Sequence, residues 1–291
     1  MGNGFMGKYL VVNLTDGSTE TVELPDSFYK KYLTGYGLGA AIIAERQKPG
    51  IDALAPESHL GLCSGLLTGC GLPFTGRFMA VGKSPLTGGW GDANAGGFLS
   101  REIKRTGYDA VFFTGRASQP TWVHITDNNV DIKDASSLWG KNINDTEAAI
   151  KEELGTKNIQ IASIGMAGEK LSLISGIVTD KARIAARSGL GAVMGSKNLK
   201  AVSFKGSTQI SVARPGDVKD LNANFLNEFK KDANLGDKLA VRFLNFLSKL
   251  VANSPLNPPA TNGNLKLIFG KWGTPGLTMF SGMTADTPVK N

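Results

Sequence analysis

Residues 76–97 read GRFMAVGKSPLTGGWGDANAGG. The stretch opens on Arg77 in a strand-like run over 77–81 and crosses a Ser-Pro-Leu-Thr-Gly-Gly turn. It then reaches Asn94-Ala95-Gly96-Gly97 just as a helical pattern begins. Small residues gather where a backbone has to approach something closely. One fixed cation and a run of main-chain N–H groups at a helix start suit an anionic, flat ligand. An ordinary Gly-rich hairpin followed by a helix fits the same letters, and this stretch alone does not separate the two.

A weak internal repeat extends the pattern. Residues 94–116, NAGGFLSREIKRTGYDAVFFTGR, are echoed by residues 187–207, RSGLGAVMGSKNLKAVSFKGS. Each unit passes from small residues through a short helix with basic residues into an Ala-Val strand that stops at Gly. Two such units related by a pseudo-twofold would bring two helix starts to one place, each able to take a phosphate; a coincidence of common strand–helix patterns is the other reading.

On either side of these units the chain alternates short elements. Residues 8–14 and 19–24 predict a hairpin around Thr15-Asp16-Gly17-Ser18. Asp26 is a candidate cap for a helix over 27–34, and 39–47 predicts a second helix ended by Pro49-Gly50. Strands are expected at 60–63, 77–81, 109–114, 121–126, 130–133, 158–164, 173–178 and 201–205. Helices are expected at 97–105 and 145–154, with a Gly/Ala-rich turn and helix at 183–195. Strands outnumber helices and many neighbours look hairpin-connected, so the expected class is α+β. The pattern changes near Ser207, giving a domain over 1–207 and the beginning of a helical one over 208–291. In the latter, 217–232 and 236–252 carry amphipathic patterns, and the Pro- and Asn-rich tract after Ser254 reads as a linker.

Composition narrows the function classes. The chain has 291 residues, 41% of them apolar, enough for a real core. No window approaches the roughly 20 unbroken apolar residues of a spanning helix, and no secretory pattern opens the chain, so a cytoplasmic protein is expected. The net charge of +7 is spread along the sequence without a dense basic cluster or a nucleic-acid-binding motif. Glycine supplies 37 residues, nearly twice the usual share of about 7%. Cys63, Cys70, His59 and His124 are the only cysteines and histidines, and they lack metal-ligand spacing. This sequence cannot by itself cage zinc or an iron–sulfur cluster. Any catalytic metal would arrive on an organic cofactor or be ligated by other polypeptide.

Over residues 6–205 the chain resembles the N-terminal domain of the tungsten-containing aldehyde ferredoxin oxidoreductases. The blocks that carry the resemblance run in order: GKYLVVNL at 7–14, GLLTG at 65–69, TGRF at 75–78 with KSPLTG at 83–88, and AN-x-GG at 93–97. They continue with GYDAV at 107–111, TGRAS at 114–118, DASSLWGK at 134–141, IASIG-x-AGE at 161–169 and GAVMGSKNLKA at 191–201. Each block is weak alone; their shared order and spacing are not.

The resemblance implies a base of two related β-sheets cradling two pterin dithiolenes. Their sulfurs hold one tungsten or molybdenum ion, and a magnesium ion bridges their phosphates. Carried over by motif, Arg77 pairs with a pterin phosphate, Asn94 and Gly96 bind the first pterin, and Arg183, Ile184, Ala186 and Arg187 serve the second. The backbone carbonyls of Asn94 and Ile184 become the magnesium contacts. The family usually reads R-A-A-G-R where this chain has Arg183-Ile184-Ala185-Ala186-Arg187, so Ala186 narrows a close approach.

The resemblance further implies oxidation of an aldehyde to a carboxylic acid, with ferredoxin or an iron–sulfur subunit as electron acceptor. The family's [4Fe–4S] cysteines and substrate-pocket residues fall in helical domains absent from this sequence, which reads as a truncated chain or one completed by a separate chain. No acid–base catalyst is assigned here, and a homodimer is compatible. Another low-potential tungsten step such as aryl-CoA reduction is the alternative within the family. A pterin-binding structural subunit inactive without its partner is a third reading. A nucleotide-binding module is disfavoured because neither a P-loop nor G-x-G-x-x-G is present.

Overall fold

The chain is described by a computed structural model. It covers residues 3–127 and 129–232, the side chains of 228–232 excepted. The expected helix over 236–252 and the Pro-rich tract lie outside the described residues.

The described strands form two six-stranded sheets. The first holds β1 (Lys8–Asn13), β2 (Thr19–Glu23), β3 (Leu60–Ser64), β4 (Phe78–Lys83), β5 (Trp90–Ala95) and β6 (Ala110–Thr114), in the order β2-β1-β6-β3-β4-β5. The second holds β7 (Thr121–Thr126), β8 (Val130–Asp134), β9 (Gln160–Ser163), β10 (Ile177–Thr179), β11 (Arg183–Ala185) and β12 (Leu199–Lys205), in the order β11-β10-β9-β12-β7-β8. Read from its other edge, the first sheet is β5-β4-β3-β6-β1-β2. Adding six to each label gives the second. The pairing senses repeat as well. β1 lies parallel to β6 and β7 to β12, while every other neighbouring pair is antiparallel. The fragmentary sequence repeat is therefore the visible part of a duplication of the whole sheet.

Seven helices are described: α1 (Asp26–Tyr32), α2 (Tyr36–Arg46), α3 (Leu99–Arg105), α4 (Ile143–Glu153), α5 (Met166–Glu169), α6 (Leu190–Ser196) and α7 (Pro215–Asp232). One core lies between the sheets. There Leu10, Val12, Leu62, Phe113, Val123, Val202 and Phe204 meet Leu99 and Ile103 of α3 and Val193 and Met194 of α6. The outer face of the first sheet is covered by α1 and α2, which bury Tyr29, Leu38 and Ile42 on Tyr9, Val11 and Phe112. On the second sheet α4 buries Ile150 on Trp122, Ile161 and Ala201. Central strands are thus apolar on both faces, which explains uninterrupted runs such as Tyr-Leu-Val-Val and Ala-Val-Phe-Phe. Each large side chain so buried contributes about 1.5–3 kcal/mol.

Several expectations shift. Trp90–Ala95 is a strand, not the approach to a helix. Its inward residues are Gly91, Ala93 and Ala95, so its period of two carries almost no hydrophobic signal. Arg183–Ala185 is a short strand ahead of α6, where a turn and helix were expected. Asp26 is the first residue of α1 and not its cap: Pro25 stands at that position, without a side-chain hydrogen bond. The four-residue α5 had no counterpart in the sequence reading.

Candidate functional site

The two sheets meet along their equivalent edge strands, β5 and β11. Ser188 accepts the Asp92 N–H at 3.1 Å and donates its hydroxyl to the Asp92 carbonyl at 2.9 Å. Asp180, ahead of β11, accepts the Phe98 N–H just after β5 at 3.0 Å. These contacts tie the segment 92–98 of one half to 180–188 of the other.

The ladder registers align the halves residue by residue. Phe78 pairs with Ala95 and Ile177 with Ala185, so Asn94 and Ile184 occupy corresponding places, as do Gly96 and Ala186. The alignment is not a copy. The place of Arg77 is taken by Gly176 in the second half, and the second half's guanidinium comes from Arg183 on β11 instead.

In the first half, Arg77 Nε donates to Asn94 Oδ1 at 2.5 Å, and Asn94 Nδ2 donates to the Tyr36 hydroxyl. The main chain at Arg77 is held from beneath by a buried hydroxyl network. Ser100 Oγ donates to the Arg77 carbonyl at 2.9 Å and contacts both Ser64 and Thr68. Gly97 stands at φ +123°, and a Cβ there would be driven into the Asp180 carboxylate and would reach 2.9 Å from Arg183 Cδ. The absent side chain is what lets the halves close. In the second half Arg183, Ile184, Ala186 and Arg187 are exposed. Arg183 is 3.9 Å from Asp180, too long to neutralise either group strongly. Arg183 Nη1 lies 3.5 Å from where a Gly96 Cβ would be.

The structure therefore brings together Arg77, Asn94, Gly96, Arg183, Ile184, Ala186 and Arg187 along one junction. It places Asn94 within a strand, where the sequence pointed to a helix start: α3 begins at Leu99 and α6 at Leu190. Tyr36, Ser100 and Asp180 were missed by sequence reasoning. Nothing in their local patterns marks them, because each acts across more than 20 residues of chain. Exposed apolar side chains, Phe98 and Ile184, stand among the polar groups.

Among the described residues no cluster of three or more His, Cys, Asp or Glu could hold a metal ion. Cys63 is buried, and burial with the nearby Asp109 pushes its thiol up, away from the thiolate that metals bind. His124 is engaged with Ser203 at 2.7 Å. Burial, reinforced by Lys197 and Arg46, pushes His59 down to about 4. The polar groups at the junction are three guanidiniums, one carboxamide and the Tyr36 and Ser188 hydroxyls, with the Asp180 carboxylate engaged by the Phe98 N–H. That chemistry fits phosphates on an organic group that brings its own metal ligands.

The aldehyde ferredoxin oxidoreductase N-terminal domain family matches residues 9–206. Tungsten-containing aldehyde ferredoxin oxidoreductases from Pyrococcus abyssi and Pyrococcus horikoshii are 42% and 41% identical over 236 residues, which is 81% of this chain and 39% of each relative. An aliphatic sulfonate oxidoreductase, WOR-like subunit, of Pyrococcus furiosus is 34% identical over 221 residues, 70% of this chain and 35% of that protein. Among solved structures, the active site complex BamBC of benzoyl coenzyme A reductase, in complex with 1,5 dienoyl-CoA, matches with TM-score 0.75 and 36% identity. That match covers 79% of this chain and 35% of the other. The chain spans about two fifths of the length of the curated relatives it matches. With its duplicated sheets and the match over most of its length, the chain belongs to the aldehyde ferredoxin oxidoreductase family, in the region of that family's N-terminal domain.

Proposed function

We propose that this chain is the cofactor-holding portion of a tungsten or molybdenum bis-pterin oxidoreductase that converts aldehydes to carboxylic acids and passes the electrons to ferredoxin. The observation that carries the reading is the β5–β11 junction, where duplicated halves present cations and small residues beside one another with no protein metal-ligand set among the described residues. When bound, the group supplies a sulfur-ligated metal able to take up two electrons and return them singly.

The chain's own residues bind and orient. Arg77 in one half, and Arg183 and Arg187 in the other, hold phosphate oxyanions by charge-assisted hydrogen bonds. Gly96 leaves the backbone open to close approach, and at the corresponding place the methyl of Ala186 narrows it. The backbone carbonyls of Asn94 and Ile184 would be the contacts for a magnesium ion. Phe98 and Ile184 lend the rim apolar surface that excludes water once covered. The [4Fe–4S] cluster, the substrate pocket and the ferredoxin contact are assigned to helical domains outside this sequence, on the same or a separate chain. Assembly as a homodimer is compatible. Two buried, free thiols suit a reducing cytoplasm; no described helix is long and apolar enough to cross a membrane.

A second reading, reduction of an aryl-CoA thioester, is favoured by the likeness to the benzoyl coenzyme A reductase complex. Aldehyde oxidation is preferred because the curated relatives at 41–42% identity carry that name. The test is metal and pterin analysis of natively purified protein, with any copurifying chain, followed by assays with aldehydes and with aryl-CoA. Tungsten or molybdenum with two pterins and aldehyde turnover supports the first reading. Loss of aldehyde turnover with retention of aryl-CoA reduction moves the assignment to the second. Protein free of metal and pterin removes both.

A further inference from the structure

We propose that Tyr36 is a ligand-contacting residue of the first half-site, its hydroxyl accepting from Asn94 and donating its own proton to an oxyanion of the bound group. The inference rests on the function proposed above and assigns a residue that the duplicated pattern does not supply.

Donor chemistry fixes the directions. Arg77 Nε can only donate, so the Asn94 oxygen must face it. The Asn94 amide nitrogen then faces Tyr36, and since an amide N–H can only donate, the phenol oxygen accepts. One hydroxyl proton remains, and among the described residues no other hydrogen bond engages it. A phenol O–H beside a guanidinium and a carboxamide is a donor suited to a phosphate oxygen.

The position of Tyr36 is built, not incidental. It is the first residue of α2, entered through Gly35 at φ +62°. A Cβ on Gly35 would press on the side chain of Met79 at 3.0 Å, and Met79 is the ladder partner of Asn94. A Cβ on Gly39 would come within 2.8 Å of Val81. The glycines let the helix start lie directly against the strand pair that carries the site. In the second half Ile184 occupies the place of Asn94, and only α4 lies between β8 and β9 where α1 and α2 lie between β2 and β3. The Tyr36–Asn94–Arg77 chain has no counterpart there, so the two bound groups are held unequally.

The experiment follows release of the metal-linked pterin group as one unit, under mild denaturant, from natively purified full-chain protein with any copurifying chain. Wild type is compared with Tyr36→Phe, and with Tyr36→Gln, which keeps both an acceptor and a donor. Expected is release about tenfold faster in Tyr36→Phe, equivalent to about 1.4 kcal/mol, with Tyr36→Gln between. The far-ultraviolet circular dichroism of each variant serves as the control for folding and is expected to match wild type. Wild-type release in Tyr36→Phe, or the same acceleration in Tyr36→Gln as in Tyr36→Phe, would overturn the inference alone. Wild-type protein that carries no pterin would instead overturn the proposed function, and the inference with it.

Discussion

Gly97→Ala tests whether closure of the two halves depends on a missing side chain. At φ +123° an alanine occupies backbone space essentially reserved for glycine, which costs about 1–3 kcal/mol. Its Cβ also enters the Asp180 carboxylate and crowds Arg183 Cδ, so the carboxylate has to leave. Its departure breaks the hydrogen bond from Phe98 N; a bond to a charged acceptor contributes about 1.5–3 kcal/mol. The two losses are independent in origin, and together give a destabilisation of roughly 2.5–6 kcal/mol. Urea denaturation with far-ultraviolet circular dichroism measures the change in midpoint at constant slope. The double variant Gly97→Ala/Asp180→Ala relieves the collision while leaving the backbone strain. It should therefore fall well short of the sum of the single effects. A loss below 1 kcal/mol in Gly97→Ala, or full additivity in the double variant, would refute the packing assigned to this junction.

Other outcomes follow from buried charge and burial. Lys200→Met leaves Glu169 buried with, among the described residues, only the Gly140 N–H against it and should cost about 3–5 kcal/mol; adding Glu169→Gln should restore part of that, read by the same denaturation. His59 is pushed down to about 4 from an unfolded value near 6.5, so its contribution is complete above pH 6.5 and lost as pH falls through 4. Up to about 3 kcal/mol should disappear across that window, and His59→Gln should flatten the acid limb of a stability–pH curve. Cys63, fully buried with its thiol pushed up, should resist alkylation in the native protein and react on unfolding, as read by mass spectrometry.

The sheets were visible in the sequence wherever strands are apolar on both faces. Lys8–Asn13, Ala110–Thr114 and Leu199–Lys205 carry β-branched and aromatic runs that no helix period matches. Strands β5 and β11 were not visible, because Gly91, Ala93 and Ala95 fill the inward positions of β5, Ala185 is the one buried residue of β11, and a tight junction replaces a hydrophobic stripe. The duplication showed only as a fragment for a related reason. The units resemble one another where helix and central strand pack between the sheets, and diverge where α1 and α2 cover one outer face and α4 the other. Among the site residues, Arg77, Asn94 and Gly96 stood out as a cation and small residues in one stretch. Arg183, Ile184, Ala186 and Arg187 entered through the resemblance, and the ladder registers give Ile184 the position in the second half that Asn94 holds in the first. Tyr36 and Asp180 reach the junction only through tertiary contact, which no local pattern announces.

The central claim is that the β5–β11 junction seats one metal between two pterins. Anomalous diffraction at the tungsten or molybdenum absorption edge, on crystals of natively purified protein with any copurifying chain, tests it most directly. The account predicts a single strong peak over the junction, flanked on one side by Arg77 and Asn94 and on the other by Arg183 and Arg187. A peak on another face of the sheets, or density for a cofactor that leaves these residues untouched, would contradict it.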